Sequence, residues 1–229
     1  PRRPHRARPD DGGAGGLRHL VVAPASRRST RTHGRLNNVD VTPRQAEFAD
    51  AALRVLAREG MTSVSFRTVA AEAGMSLGAV QKAFPTKDLM LRVMFARLRA
   101  TAATQSLVEP GRPTLRSWLV DLMVSVLPLD EPRRAAELQG GAFVERAAFD
   151  PGTAAAVAAS DHELRGAIGR LVRRAHAEGE VPKSVDPDAA AWAVLAFMQG
   201  MASQLLYDPA SEDAVRRQCR WVVDAVLRH

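Results

Sequence analysis

From residue 42 onward, apolar side chains return at spacings of three and four, the rhythm of helices that bury one face. Phe48, Ala49, Ala52, Leu53, Leu56 and Ala57 form the first such stripe. Thr42, Pro43 and Gln45 stand ahead of it in the order of a capping box with proline at the first helical position. Gly60 closes it as a left-handed C′ residue. Ser65 opens a second helix through Phe66, Val69, Ala70 and Ala73, and Gly74 stops it after little more than two turns. Ser76 caps a third, whose apolar positions are Leu77, Val80 and Phe84. Pro85 breaks the pattern, and Thr86 caps a fourth carrying Leu89, Val93, Met94 and Leu98.

The rest of the chain repeats the same period. Helices are expected over Thr114–Leu127, Pro132–Phe149, Thr153–Glu178, Asp186–Tyr207 and Ser211–Leu227, with breaks at 109–113 and at Pro151-Gly152, and with Gly179 stopping the long third one. Alternating strand-like segments are nowhere sustained, and no 20- to 50-residue period repeats. The fold class is all-α: an N-terminal three-helix helix-turn-helix domain over residues 39–99, which takes in the start of the linking fourth helix, and a C-terminal helical domain over 100–229. Residues 1–38 hold Gly12-Gly13, Gly15-Gly16, prolines that include Pro4, Pro9 and Pro24, and one short apolar patch, and are expected to be a disordered arm because they cannot bury enough surface to offset ordering.

Composition changes the picture in two ways. No window holds the ~18 apolar residues of a spanning helix, and the first residues lack the apolar core of a secretory signal, so the expected place is the cytoplasm. Cys219 is the only cysteine, which excludes an internal disulfide and any multi-cysteine metal site within one chain. No cofactor or metal is expected. The net charge of +7 resides in residues 1–38, where nine arginines face Asp10 and Asp11, while the remainder balances. Within that remainder residues 39–99 are basic by three and residues 100–229 acidic by three. A basic arm and a basic first domain suit a phosphate backbone, although arginine outnumbers lysine 29 to three, so a compositional bias gives the same signal.

Two short helices joined by Gly74-Met75-Ser76 form the pattern in which the second helix enters a DNA major groove. The run from Gly60 to Leu89, with Val69-Ala70-Ala71-Glu72-Ala73-Gly74-Met75-Ser76, then Gly78-Ala79-Val80, then Phe84-Pro85-Thr86-Lys87-Asp88-Leu89, resembles the DNA-binding domain of the tetracycline-repressor (TetR) family of bacterial transcription regulators. Val80 and Phe84 read as core. Gly78 and Ala79 either admit the duplex closely or simply pack. Gln81 and Lys82 are the polar residues left to face the groove, with Leu77 beside them at the helix start. The family commonly carries Tyr at the position of Gln81 and His or Tyr at that of Ala83, so the tyrosine's phosphate contact does not carry over; a glutamine either bonds a phosphate or reads adenine N6 and N7. Ser65, Arg67, Thr68, Ser76 and Lys87 are candidate phosphate contacts, since Lys87 and Arg67 are cations set in first helical turns, where the dipole disfavours them.

The resemblance implies more about the C-terminal half. It implies an inducer pocket, for which Trp118, Leu122, Met123, Phe143, Phe149, His162, Trp192, Phe197 and Gln199 are candidate lining residues, core packing being the alternative for each apolar one. The stretch Ala175 to Leu206 is similar to the C-terminal domain of the betaine-regulator-like branch of the family. A homodimer is expected through the last two helices, with Gly200, Met201, Ala202, Leu205, Val215, Cys219, Val222 and Val226 as apolar faces shared between the interface and the intrachain core. The implied protein is a transcription regulator, a repressor that leaves a palindromic double-stranded operator when a small-molecule inducer binds. Two rivals are a sequence-indifferent DNA-coating protein and an α-helical enzyme; no nucleophile elbow, phosphate-cradling loop or metal-spaced histidine pair supports the latter.

Overall fold

A computed structural model of the chain describes residues 40–105 and 114–228. The Arg-rich segment and the break at 109–113 therefore lie outside the described residues. The elements in order are α1 (Pro43–Glu59), a 3-10 turn (Met61–Ser63), α2 (Phe66–Glu72), α3 (Leu77–Ala83), α4 (Lys87–Gln105), α5 (Leu115–Val126), α6 (Glu131–Ala147), α7 (Pro151–Ala177), α8 (Pro187–Leu205) and α9 (Glu212–Val226). No strand occurs among the described residues.

The helix starts are where local chemistry placed them. Thr42 accepts from the Gln45 N–H while the Gln45 side chain takes the Thr42 N–H, and Ser65 and Thr68 repeat the exchange on α2. Ser76, Thr114, Asp130, Asp150, Asp186 and Ser211 each cap a helix with a side-chain oxygen. Two details differ from expectation. Pro151 and Gly152 do not interrupt the chain but form the first turn of α7, because a proline at N1 lacks only an N–H that has no helical partner there. Gly60 has φ 81° but ψ 171°, an extended conformation open mainly to glycine, and it leads directly into the 3-10 turn. Gly74, at φ 64°, is the left-handed bend: the Met75 N–H reaches back to Ala70 O at 2.9 Å and closes α2.

Two cores result. Phe48, Ala52, Val55, Leu56, Val69, Val80, Phe84, Met90, Val93 and Met94 close the first, with the Phe48 and Phe84 rings edge to face at 6.4 Å. Leu119, Met123, Ile168, Val172, Ala191, Val194, Val215, Cys219 and Val223 belong to the second, built by α5, α7, α8 and α9.

Side chains of the second half cross into the first core: Phe143, with Ala142 and Val157 packed beside that cluster. Phe143 of α6, a candidate inducer-pocket residue, is buried in the first core, its ring 5.1 Å from that of Phe95 on α4, and lines a small cavity with Leu91, Arg92, Phe95 and Thr153. Beside it, Gln139 Nε2 donates to Leu53 O of α1 at 3.0 Å. The periodicity of α6 marked Phe143 as inward-facing, but which interior receives it depends on how α6 docks, which no local pattern encodes.

Candidate nucleic-acid interface

Successive α-helical residues step by about 100°, which divides the seven residues of α3 into two arcs. Val80 is buried, and Ala79 and Ala83 are half-buried against the first core. Leu77, Gly78, Gln81 and Lys82 fill the opposite arc and are exposed. This corrects one expectation, since Leu77 is not part of the apolar stripe, being 36% exposed; Ala79 takes the packing alternative left open for it. The physical reason is that Leu77, the first residue of α3, lies about 60° around the helix from Val80, at the edge of the buried arc. Gly78 carries no side chain between Gln81 and Lys82, which leaves a shallow recess among side chains in the middle of the exposed arc, and the space a Cβ would take is open.

The hydroxyls nominated on α2 are already committed. Thr68 Oγ1 accepts from the Ser65 N–H at 2.9 Å and donates to Ser63 O at 2.7 Å, and Ser65 Oγ accepts from the Thr68 N–H. They set the helix start, leaving Arg67, exposed between them, as the group that reaches outward. Ser76 Oγ accepts from the Ala79 N–H at 3.2 Å and keeps its own proton for another partner.

Charge sorts the surface further. Most arginines of residues 40–105 hold a carboxylate: Arg44 holds Glu47, Arg54 and Arg58 share Glu72, Arg92 holds Asp88, Arg97 holds Asp50 through two bonds of 2.9 and 2.8 Å, and Arg99 holds Glu163. The bonds from Arg54 and Arg58 keep the Glu72 carboxyl below its ordinary range. Arg67, Lys82 and Lys87 have no carboxylate partner among the described residues, and all three stand on the exposed side of the helix-turn-helix. Glu47, Asp50, Glu59, Glu72 and Asp88 are neutralised in place, whereas Arg67, Lys82 and Lys87 keep their charge exposed on α2, α3 and α4.

The sequence passed over Met75. It is 37% exposed at the turn, next to Leu77, and these two are the exposed large apolar residues of the described first half. Its position just after the left-handed glycine was the available signal, because the turn aims the following side chain away from both helices.

The nine residues nominated for an inducer pocket do not gather in one place. Leu122 and Met123 are buried and Trp118 and Phe197 are half-buried, Met123, Trp118 and Phe197 packing in the second core. Phe149 is 86% exposed at the end of α6, and His162 is exposed on α7. Gln199 is exposed and reaches the Asp161 carboxylate only at 3.4 Å. Trp192, 61% exposed, lies under the Arg165 guanidinium at 5.8 Å. Phe143, Phe149, His162, Trp192 and Gln199 thus stand apart from the second core. A half-buried carboxylate went unnoticed: burial raises the pKa of Glu137 on α6, and it has no cationic partner among the described residues. Its neighbours Arg133 and Arg134 bond Val124 O at 2.7 Å and Leu206 O at 2.9 Å instead.

The apolar faces assigned to α8 and α9 also divide. Ala202, Leu205, Val215 and Cys219 are buried within the chain, and burial raises the Cys219 thiol pKa. The uncovered stripe of α8 is Trp192, Ala196, Gly200 and Ser203, continued by Tyr207 at 76% exposure, and that of α9 is Arg217, Trp221 and Ala225, with Trp221 at 70%. Met201, Val222 and Val226 are half-buried, Met201 and Val226 packing against the second core.

Residues 48–94 match the family model described as bacterial regulatory proteins, tetR family, and residues 115–228 match that of the BetI-type transcriptional repressor C-terminal domain, the branch suggested by the stretch 175–206. The chain is similar to a nicotine-responsive HTH-type transcriptional repressor of Paenarthrobacter nicotinovorans, with 29% identity over 197 residues that cover 84% of this chain and 97% of the relative. It is similar in structure to a transcriptional regulator of Rhodococcus sp. RHA1, with a TM-score of 0.72 and 27% identity over 81% of this chain and 96% of the other. A regulator of Saccharomonospora viridis, solved in complex with choline, shares the fold at a TM-score of 0.70 with 20% identity, covering 79% and 95% of the two chains.

Proposed function

Because this chain belongs to the tetR family of bacterial regulatory proteins, we propose that it is a ligand-responsive transcriptional repressor that binds operator DNA as a homodimer. The observation that carries the reading is the charge sorting: six arginines of the first half pair with carboxylates, and the cations without a carboxylate partner among the described residues of that half are Arg67, Lys82 and Lys87, on α2, α3 and α4. Cations without partners release condensed counterions when they meet phosphates, and this term supplies much of the affinity. One helix-turn-helix reads few base pairs, so two α3 helices meet half-sites one helical turn apart. The faces that bring the copies together are the uncovered stripes of α8 and α9.

Release follows from linkage. An inducer that prefers the dimer with its α3 helices too far apart draws the population away from the DNA-competent state, and a coupling of about 1–3 kcal/mol is typical. Phe143 and Gln139, which tie α6 to α1, α4 and the first core, are the contacts through which the second half moves the first. The relative that responds to nicotine makes small organic amines the first inducers to try.

The test is binding of the full chain to the DNA upstream of its own gene. The variant Arg67→Ala/Lys82→Ala/Lys87→Ala should lose affinity at least 100-fold and show a shallower salt dependence, whereas Lys183→Ala, an exposed cation of the second half, should not change it. Equal affinity in all three proteins would overturn the assignment.

A further inference from the structure

The chemistry offered by the exposed arc of α3 is narrow. It contains one carboxamide (Gln81), one ammonium (Lys82), one residue without a side chain (Gly78) and one aliphatic side chain (Leu77), and Met75 adds a second apolar side chain at the turn. Arginine, the usual bidentate partner of guanine O6 and N7, is absent from α3, and so are the carboxylates that accept from cytosine N4. Lys82 could also donate to guanine O6 or N7, but in the reading above it meets the phosphate backbone, and the carboxamide and aliphatic side chains that remain match one kind of base pair. An aliphatic end packs on the C5 methyl that only thymine carries, and a carboxamide exchanges two hydrogen bonds with adenine N7 and N6.

The placement agrees with the chemistry. Leu77 and Gln81 are four residues apart on one helix, hence neighbours on its surface. Leu77 and Met75 are also the large apolar side chains that the described first half leaves in water, in a region that otherwise buries Phe48, Phe84, Met90 and Met94 completely. The recess at Gly78 lets the helix seat deeply enough for short contacts to base edges. Resting on the operator-binding reading above, we propose that α3 reads an A·T-rich step in each half-site. Leu77 and Met75 contact thymine methyls, and the Gln81 carboxamide, not a phosphate contact, recognises an adjacent adenine.

The test begins with an operator bound specifically by the full-length protein. Each thymine of a half-site is replaced in turn by uracil, which removes only the methyl, and each adenine by 7-deazaadenine, which removes only the N7 acceptor. At one or two thymine positions the parent should lose about fourfold per half-site, the transfer value of one buried methyl. Leu77→Ala or Met75→Ala should be indifferent to the same replacement, and Gln81→Ala to deazaadenine. Leu77→Ala removes an exposed side chain in favour of a better helix former, and Met75→Ala provides a second variant outside the helix. If the operator is bound but no thymine-to-uracil change weakens binding, or if the variants feel the change as the parent does, the inference falls while the regulator reading stands. If the protein binds no DNA specifically, both fall.

Discussion

The two halves of this chain leave different faces uncovered. The helix-turn-helix exposes a cationic surface with a small recess and two flexible apolar ends, whereas α8 and α9 expose aromatic rings on a stripe of Ala196, Gly200, Ser203 and Ala225. Small residues let helices approach closely, and exposed aromatics are an uncompensated cost to a monomer, so the second face suits another protein surface. The first keeps its positive charges apart from carboxylates, which a protein partner would not require but a phosphate backbone rewards. Exposure alone does not separate these cases; the charge and shape of what is exposed do.

The sharpest challenge to this division is Phe143, which belongs to the second half by sequence and to the first core by position. Phe143→Ala should lower stability by about 3–5 kcal/mol in urea unfolding, the usual cost of emptying a fully buried aromatic site. A loss under 1 kcal/mol would mean that α6 is not anchored there and that the halves are linked otherwise.

The α9 face is tested by Trp221→Glu. If Trp221 lies at the centre of a two-fold interface, burying a charge there should cost about 2–4 kcal/mol of association, visible as dissociation in sedimentation and as weakened operator binding. A variant that stays dimeric at micromolar concentration would remove Trp221 from the interface. On the opposite face, Lys82→Ala should lower the slope of log affinity against log salt by about one per protomer. An unchanged slope would show that Lys82 does not meet a phosphate.

The smallest effect concerns helix starts. Thr153 and its N–H hold the Asp150 carboxyl below its ordinary value, and the N–H groups of Ala189 and Asp188 do the same for Asp186. A depressed carboxylate contributes stability above the unfolded value near ~3.9, and the contribution disappears as pH falls through the folded value. Asp186→Asn keeps the capping oxygen without the titration. It should be less stable than the parent at pH 7 and fall less on acidification, so that the two converge, as urea midpoints at pH 7 and pH 3 would show. Parallel losses in the two proteins would contradict this.

Much of this fold was legible without coordinates. Thr42 with Gln45, Ser65 before Phe66, Ser76 after the Gly74 bend, Thr86 before Leu89 and Asp186 before Pro187 each mark a helix start, because a cap is satisfied within three or four residues of itself. The same locality made the helix-turn-helix readable, and with it the exposed cations of α2, α3 and α4.

Where each apolar stripe points was a different matter. Leu77 lay at the edge of its stripe and came out exposed, Phe143 entered the core of the other half, and Ala202, Leu205, Val215 and Cys219 turned inward while Trp192 and Trp221 stayed in solvent. Spacing establishes that a helix has an apolar side; it does not say which neighbour will cover it. The sequence determined the helices, their ends and the chemistry of their surfaces through contacts a few residues long. Only the packed structure decided which faces were consumed, since burial depends on segments that are distant along the chain and adjacent only after folding.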